Sequence, residues 1–579
     1  MIDDHVAHRS ERLFQRDLAR EADPLWFLRS DTVGYVCYVD RFAQTLVGVA
    51  EQLDYLDELG VTYLHLMPLL RPRNGENDGG YAVVAYDQVN PELGTIDDLE
   101  SLAAALHERG MSLCVDLVLN HTADEHPWAL AARNGDPAAR HFYFFSPDRT
   151  LPDAFEATLR EVFPDFAPGN FTWLADCEQW VWTTFNEYQW DLNWSNPDVF
   201  AAMFAAMLDL AQRGVDVLRL DAVPFLWKRV GTSCENLPEA HDLLCALRAL
   251  MAIAAPATVF KAEAIVAPDD LKPYLGAGDP PRRECDLAYN NQLMVLLWSS
   301  LATGEAQLMS HALRRLGRVP DRTSWVNYVR CHDDIGWAVS DSDAAAVGWN
   351  GHAHRSFLSE FYAGTFPTSF AKGEVFQFNP ATLDARVSGS AASLCGIEQA
   401  LASNDPVALD LAFRRLELVY SVVYMFGGVP LLYMGDELAL LNDHSYLADP
   451  ATKDDNRWMH RPRMAWDIAA RRTTPGTIEH RAYTIFSSLA HDRRRLQVLH
   501  ASSATTVMQL ADPRLLVIRR DHPSFGAFVA VANFSGTSTV VGFDALGDAP
   551  WRVERAVDAH CSPTALTVGR LGYAWLSSS

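Results

Sequence analysis

The sequence predicts an α/β protein centred on a parallel (β/α)8 TIM barrel. Three observations lead there. Eight short β-rich runs recur between residues 33 and 434, longer amphipathic stretches separate them, and polar clusters fall at the C-terminal ends of several runs. The runs are residues 34–40, 62–67, 112–119, 216–221, 259–264, 286–290, 325–330 and 429–434. Apolar residues recur at helical spacing over 96–109 and 199–213.

Residues 1–28 are charged and helix-forming, which predicts a short helical segment ahead of a barrel occupying 29–500. Residues 122–190, rich in aromatics, Pro and Asp, are too long for a simple loop and predict an inserted subdomain after strand three. Residues 335–401, with Gly, Ser and Asn clusters, predict a second insertion after strand seven. Insertions at those places sit over the strand C-terminal ends, where barrel enzymes carry their chemistry. The apolar stretch 418–441 is interrupted by Gly427-Gly428-Val429-Pro430, so a buried helix, turn and strand fit it better than a membrane span. From 501 to 579 the pattern becomes alternating or β-rich, at 515–519, 527–533 and 539–543, and predicts a C-terminal antiparallel β-sandwich.

Composition narrows the function. The chain has 579 residues and 74 acidic against 48 basic side chains, a formal charge of −26 that repels nucleic acid and anionic lipid. A neutral sugar meets no such penalty. The nine cysteines are odd in number and form no CxxC pair, as expected for reduced thiols. The first residues lack the basic start and apolar core of a signal peptide, so a cytoplasmic location is expected. His121 and His126 lie in one loop without a partner set, so neither a metal nor another cofactor is expected.

Strand four reads Gly214-Val-Asp-Val-Leu-Arg-Leu-Asp-Ala222. Side chains two apart share a face, so Arg219 and Asp221 point together at its C-terminal end. A guanidinium beside a carboxylate favours the ionised form, which a nucleophile requires. On its own the pair fits a structural ion pair equally well. Glu263 ends strand five, His332 and Asp333 leave strand seven, and Asn120-His121 leave strand three. Together these residues imply an active site. Paired carboxylates on neighbouring strands fit a retaining glycosidase, where one attacks the anomeric carbon and the other protonates the leaving oxygen.

These segments resemble the signature regions of the α-amylase superfamily, and within it the amylosucrases. The resemblance is carried by Gly34-Tyr-Val-Cys-Tyr-Val-Asp40, Leu64-His-Leu-Met-Pro68, Asn77-Asp-Gly-Gly-Tyr81, Trp180-Val-Trp-Thr-Thr-Phe185 and Gly231-Thr-Ser-Cys-Glu-Asn-Leu-Pro238. Val326-Asn-Tyr-Val-Arg330 and Asp333-Asp-Ile-Gly-Trp337 extend it, from about residue 23 into the C-terminal domain. The resemblance implies Asp221 as nucleophile, Glu263 as acid/base and Asp333 as stabiliser of the transition state. It gives Arg219 the task of orienting Asp221, and places His121, His332, Tyr81 and Phe185 around the bound glucose. Asp78 and Arg457 match an ion pair that closes the pocket floor, so that only a terminal sugar enters. Arg160, Phe163, Asp334, Arg355 and Arg386 match positions on the fructosyl and acceptor side, and 335–401 matches a domain covering the pocket. The helical domain before the barrel is longer in that family than the segment present here.

The resemblance implies sucrose as donor and an α-glucan or water as acceptor, in a monomer or homodimer. Catalytic residues do not separate the transferase from sucrose hydrolase, because both form the same glucosyl-enzyme. A non-catalytic sugar-binding barrel would be expected to lack one of the three carboxylates, and all three are present.

Overall fold

The computed structural model describes residues 1–162, 167–379, 383–547 and 550–578. Eight parallel strands close a barrel: β1 (Gly34–Cys37), β2 (Tyr63–Leu66), β3 (Ser112–Val118), β4 (Val217–Asp221), β5 (Val259–Ala262), β6 (Leu287–Tyr289), β7 (Ser324–Asn327) and β8 (Val429–Tyr433). Each expected run overlaps one of them, the seventh strand beginning one residue before its run. β8 closes on β1 with Leu431, Leu432 and Tyr433 opposite Gly34, Tyr35 and Val36. Nearly every strand residue is buried, because the strands face side chains in the barrel and helices outside it.

The strands end earlier than the apolar runs suggest. β1 stops opposite Leu66, where the chain turns into the short helix Val39–Phe42. β7 stops at Asn327, paired with Pro430, which has no N–H to extend the ladder. Beyond it Arg330 is buried against Asp436 (2.8 Å) and the His460 carbonyl (2.8 Å), which fixes the path toward Asp333.

The expected helices form with local signals at their starts. Ile96–Glu108 begins with a Thr95/Asp98 capping box, and Pro197–Gln212 with Asn196 as cap and Pro at its first position. Helix Pro406–Met425 leads into β8, so the apolar stretch is a buried helix, turn and strand. No helix among the described residues is long and apolar enough to cross a membrane. At the foot of the barrel, helix Glu11–Ala22 places Arg16 and Arg20 on Asp216, at 2.8 and 2.6 Å. Asp216 also accepts the Leu113 N–H and contacts His107, so it forms an ionic hub just before β4.

After β3, residues 121–191 carry a three-stranded antiparallel sheet (Phe145–Ser146, Gln179–Trp182, Phe171–Leu174) over a small core of Phe155, Phe171, Trp182 and Cys234. After β7 come the helix Gly351–Tyr362 and the hairpin Glu374–Phe378/Ala385–Ser388. A further antiparallel pair, Leu70–Pro72 with Val83–Val89, follows β2 and was not expected. At the C-terminus the expected β-sandwich is one six-stranded antiparallel network. Its last strand, Ala565–Ser578, is long enough to pair with two strands along one edge and one along the other. One face of that sheet, including Phe528, Tyr573 and Trp575, joins the barrel core, while Val517, Val529, Val531 and Leu576 build a second core. All nine cysteines are unbridged.

Candidate active site

Three adjacent strands deliver the central charges. Arg219 and Asp221 are buried on one face of β4, hydrogen-bonded to each other. The same guanidinium reaches Asp116 of β3 at 3.3 Å and Glu263, one residue beyond β5, at 3.9 Å. Ala222 follows Asp221 with φ at 50°, a left-handed turn, and its N–H donates to Glu263 Oε2 at 2.7 Å. Glu263 is thereby held beside Asp221. Burial raises both carboxyls above their ordinary ranges, and Glu263 raises Asp221 further. Like charges this close keep a shared proton. Arg219 touches Asp221 directly and favours its ionised form against the burial that raises it.

Asp333 lies across this pair. Burial opposes its charge, but His332 at 3.3 Å, Arg457 at 3.3 Å and Arg461 at 3.9 Å outweigh it and hold the carboxyl well below its usual range. Cys331, His332 and Asp333 offer ligand atoms within 4.8 Å of one another, but the two arginines on Asp333 oppose a bound cation.

Asp78 and Arg457 meet at 3.2 Å. Asp78 sits at φ 51° in the turn Asn77-Asp-Gly-Gly80, where Asn77 accepts from the Gly80 N–H at 2.9 Å. Gly79 has φ 67°, and a Cβ there would lie 2.8 Å from the Tyr38 hydroxyl, so this turn needs glycine. Arg457 is buried and also binds Asp455 at 2.8 Å. One cation thus holds Asp78, Asp333 and Asp455 together.

The rings surround the same space. Tyr81 stacks on His332, with centroids 5.5 Å apart, and its hydroxyl donates to Asp116 at 2.7 Å. His121 packs 5.4 Å from Phe185 and hydrogen-bonds the Tyr81 carbonyl at 3.1 Å. Burial pushes His121 down to about 4 and His332 to about 3, so both are neutral near pH 7. Phe185 is placed by Thr184, which is bound to Asp191, and Asp191 is neutralised by buried Lys228 at 2.6 Å.

The outer residues are less concentrated. Arg386 lies 3.6 Å from Asp334, next to Asp333. Arg355 is engaged by Asp341 (2.8 Å), Asp384 (3.0 Å) and the Val339 carbonyl, within the second insertion. Arg160 is mostly exposed and 3.4 Å from Glu235. Phe163 lies outside the described residues. Sequence reasoning missed Asp116, Asp455, Arg461, Lys228 and Asp191. Only Asp116 had a usable signal, its inward register with Arg219.

Comparison with known proteins agrees with this architecture. The alpha amylase catalytic-domain family model matches residues 24–335. A trehalose synthase of Thermus thermophilus is 31% identical over 435 residues, which cover 74% of this chain and 40% of that enzyme. A trehalose synthase/amylase of Mycolicibacterium smegmatis is 33% identical over 455 residues, 77% of this chain and 68% of that one. The chain therefore spans well under half of the first of these relatives. Among solved structures, isomaltulose synthase from Klebsiella sp. LX3 superposes with a TM-score of 0.68 at 18% identity, over 96% of this chain and 99% of that one, a likeness of fold. With the family model spanning more than half of its length, the chain belongs to the alpha-amylase catalytic-domain family.

Proposed function

We propose that the protein is a retaining glucosyl enzyme of amylosucrase type, which cleaves sucrose and transfers glucose to an α-1,4-glucan. The observation that carries this reading is the buried ion-pair cluster in which Arg457 joins Asp78, Asp455 and Asp333, taken here as the floor of the pocket. A closed floor admits a chain end or a disaccharide and excludes the middle of a polymer.

Ionised Asp221 attacks the anomeric carbon while Glu263 gives its proton to the fructosyl oxygen. A covalent glucosyl ester forms and fructose leaves. Glu263, now ionised, takes the proton of the acceptor hydroxyl as it displaces Asp221. Asp333 stays ionised and favours the positive charge that develops on the ring. Neutral His121 and His332 exchange hydrogen bonds with sugar hydroxyls. Arg386 with Asp334, Arg355, Arg160 and Phe163 belong to the acceptor side in this reading.

A second reading draws on the trehalose synthases among the relatives, whose names give a glucosyl disaccharide, trehalose, as product. Incubation with sucrose, trehalose or maltose, with and without glycogen, separates the two. The expected result is fructose in excess of free glucose from sucrose, with glycogen raising turnover. Isomerised trehalose or maltose with intact sucrose would favour the second reading. Equal glucose and fructose with every acceptor would identify a hydrolase, and no turnover of any of these sugars would refute both.

The floor has its own test. Arg457→Ala strands three carboxylates without their shared counter-charge, and such losses cost about 3–5 kcal/mol. The variant is expected to keep its circular-dichroism spectrum but lose roughly 100-fold in kcat/KM on sucrose. Unchanged constants would show that the floor plays no part in binding.

A further inference from the structure

Beneath the carboxylates lies a buried cation to which the reaction above assigns no task. Lys261 of β5 has its side chain inside the barrel, fully buried, two residues before Glu263. Its Nζ lies 3.1 Å from His65 Nδ1, and His65 Nε2 lies 2.5 Å from Asp116 Oδ1. The other oxygen of Asp116 takes the Tyr81 hydroxyl at 2.7 Å and faces Arg219 at 3.3 Å. Arg219 in turn holds Asp221. The other neighbours of Lys261 include the rings of Tyr63 and Tyr289, 5.3 and 5.0 Å away, the Arg219 charge, and the Cys114 thiol, which also contacts His65. Among the described residues, no carboxylate lies within ion-pair distance of its nitrogen.

This arrangement bears on the placing of one proton. Held as an ammonium, Lys261 has donors only; the His65 nitrogen facing it is then the acceptor, and the proton of the ring is on Nε2, pointing at Asp116. With the proton on the other nitrogen, two lone pairs would face each other at 2.5 Å in a dry interior, and Asp116 would lose a donor. A less constrained Asp116 would release Tyr81 and let Arg219 shift away from Asp221. We propose that Lys261 is a positioning residue that fixes the His65 tautomer and, through Asp116 and Arg219, the orientation of Asp221. Its consequence for turnover rests on the reading of Asp221 as nucleophile; the tautomer does not.

The test uses the full chain. Lys261→Met removes the donor at similar length, whereas Lys261→Gln removes the charge but keeps an N–H for His65 Nδ1. Lys261→Met is expected to lower kcat on sucrose by on the order of 10- to 100-fold, the range typical of groups that orient a reactive residue through another. Lys261→Gln is expected to recover most of that loss. In a His65→Gln background the side-chain amide donates to Asp116 without help, so adding Lys261→Met is expected to cost less than about twofold there. An equal loss in both backgrounds, or Gln as poor as Met, would overturn the proposal. A readout free of sugar chemistry is the 15N spectrum of histidine-labelled protein, with the His65 signals assigned by their loss in His65→Gln. Protonated Nε2 and unprotonated Nδ1 are expected in the parent protein and a changed pattern in Lys261→Met; an unchanged pattern would refute the proposal even if the parent protein turned over no sugar.

Discussion

Asp221→Asn is expected to lower kcat on sucrose by at least roughly 10⁴-fold, about 5.5 kcal/mol in the barrier. The amide fits the same space and still accepts from Arg219, so the barrel and pocket survive while the nucleophile is lost. Glucose release and transfer should fall together, because both draw on one covalent ester. Acid-quenched mass spectrometry should find a glucosyl adduct on the parent protein and none on the variant. Sucrose turnover within tenfold of the parent would remove Asp221 from the reaction.

Glu263→Gln is expected to cost roughly 10²–10⁴-fold on sucrose, the contribution of a positioned acid. Unlike the nucleophile variant, it should recover with a donor whose leaving group needs no proton, such as glucosyl fluoride, and the adduct should then accumulate. A pH profile supplies the second check. Burial raises Glu263 above the ordinary glutamate range, so its proton is present below that raised value and lost as pH climbs through it. Activity on sucrose should therefore fall on the alkaline side, above the ordinary glutamate value. With the fluoride donor, Glu263→Gln should show no such alkaline limb for the first step. Persistence of the limb in the variant would assign it to another group.

Much of the fold was legible because each barrel strand is an apolar run flanked by helix signals. The ends were less legible, since a strand stops where its neighbour stops. Asn327 meets Pro430 across the ladder, a fact that neither segment contains alone. The same limit applies to the site. The spacing within β4 put Arg219 and Asp221 on one face, and motif resemblance carried Asp78 and Arg457 to each other across hundreds of residues. Asp455 and Arg461 carried no comparable signal, because their roles arise where the chain after β8 folds back under Asp333. Lys261 and His65 read as ordinary strand residues until β2, β3 and β5 are set side by side. The last β domain was recognisable by alternation, but whether it forms one network or two depends on how far Ala565–Ser578 runs.

The ionic hub at the foot of the barrel bears on how the chain is made. Helix Glu11–Ala22 leaves the ribosome before its partners do, because Arg20 binds Asp216 and the Ala257 carbonyl, the latter 237 residues later. Arg9 waits equally for the Ala211 carbonyl. At roughly 5–20 residues per second, the helix stays undocked for on the order of ten seconds or more, until half of the barrel has emerged. Short amphipathic helices are marginal without a surface to cover. The helix is therefore made well before the barrel surface that it covers, and it docks while later barrel strands are still to come.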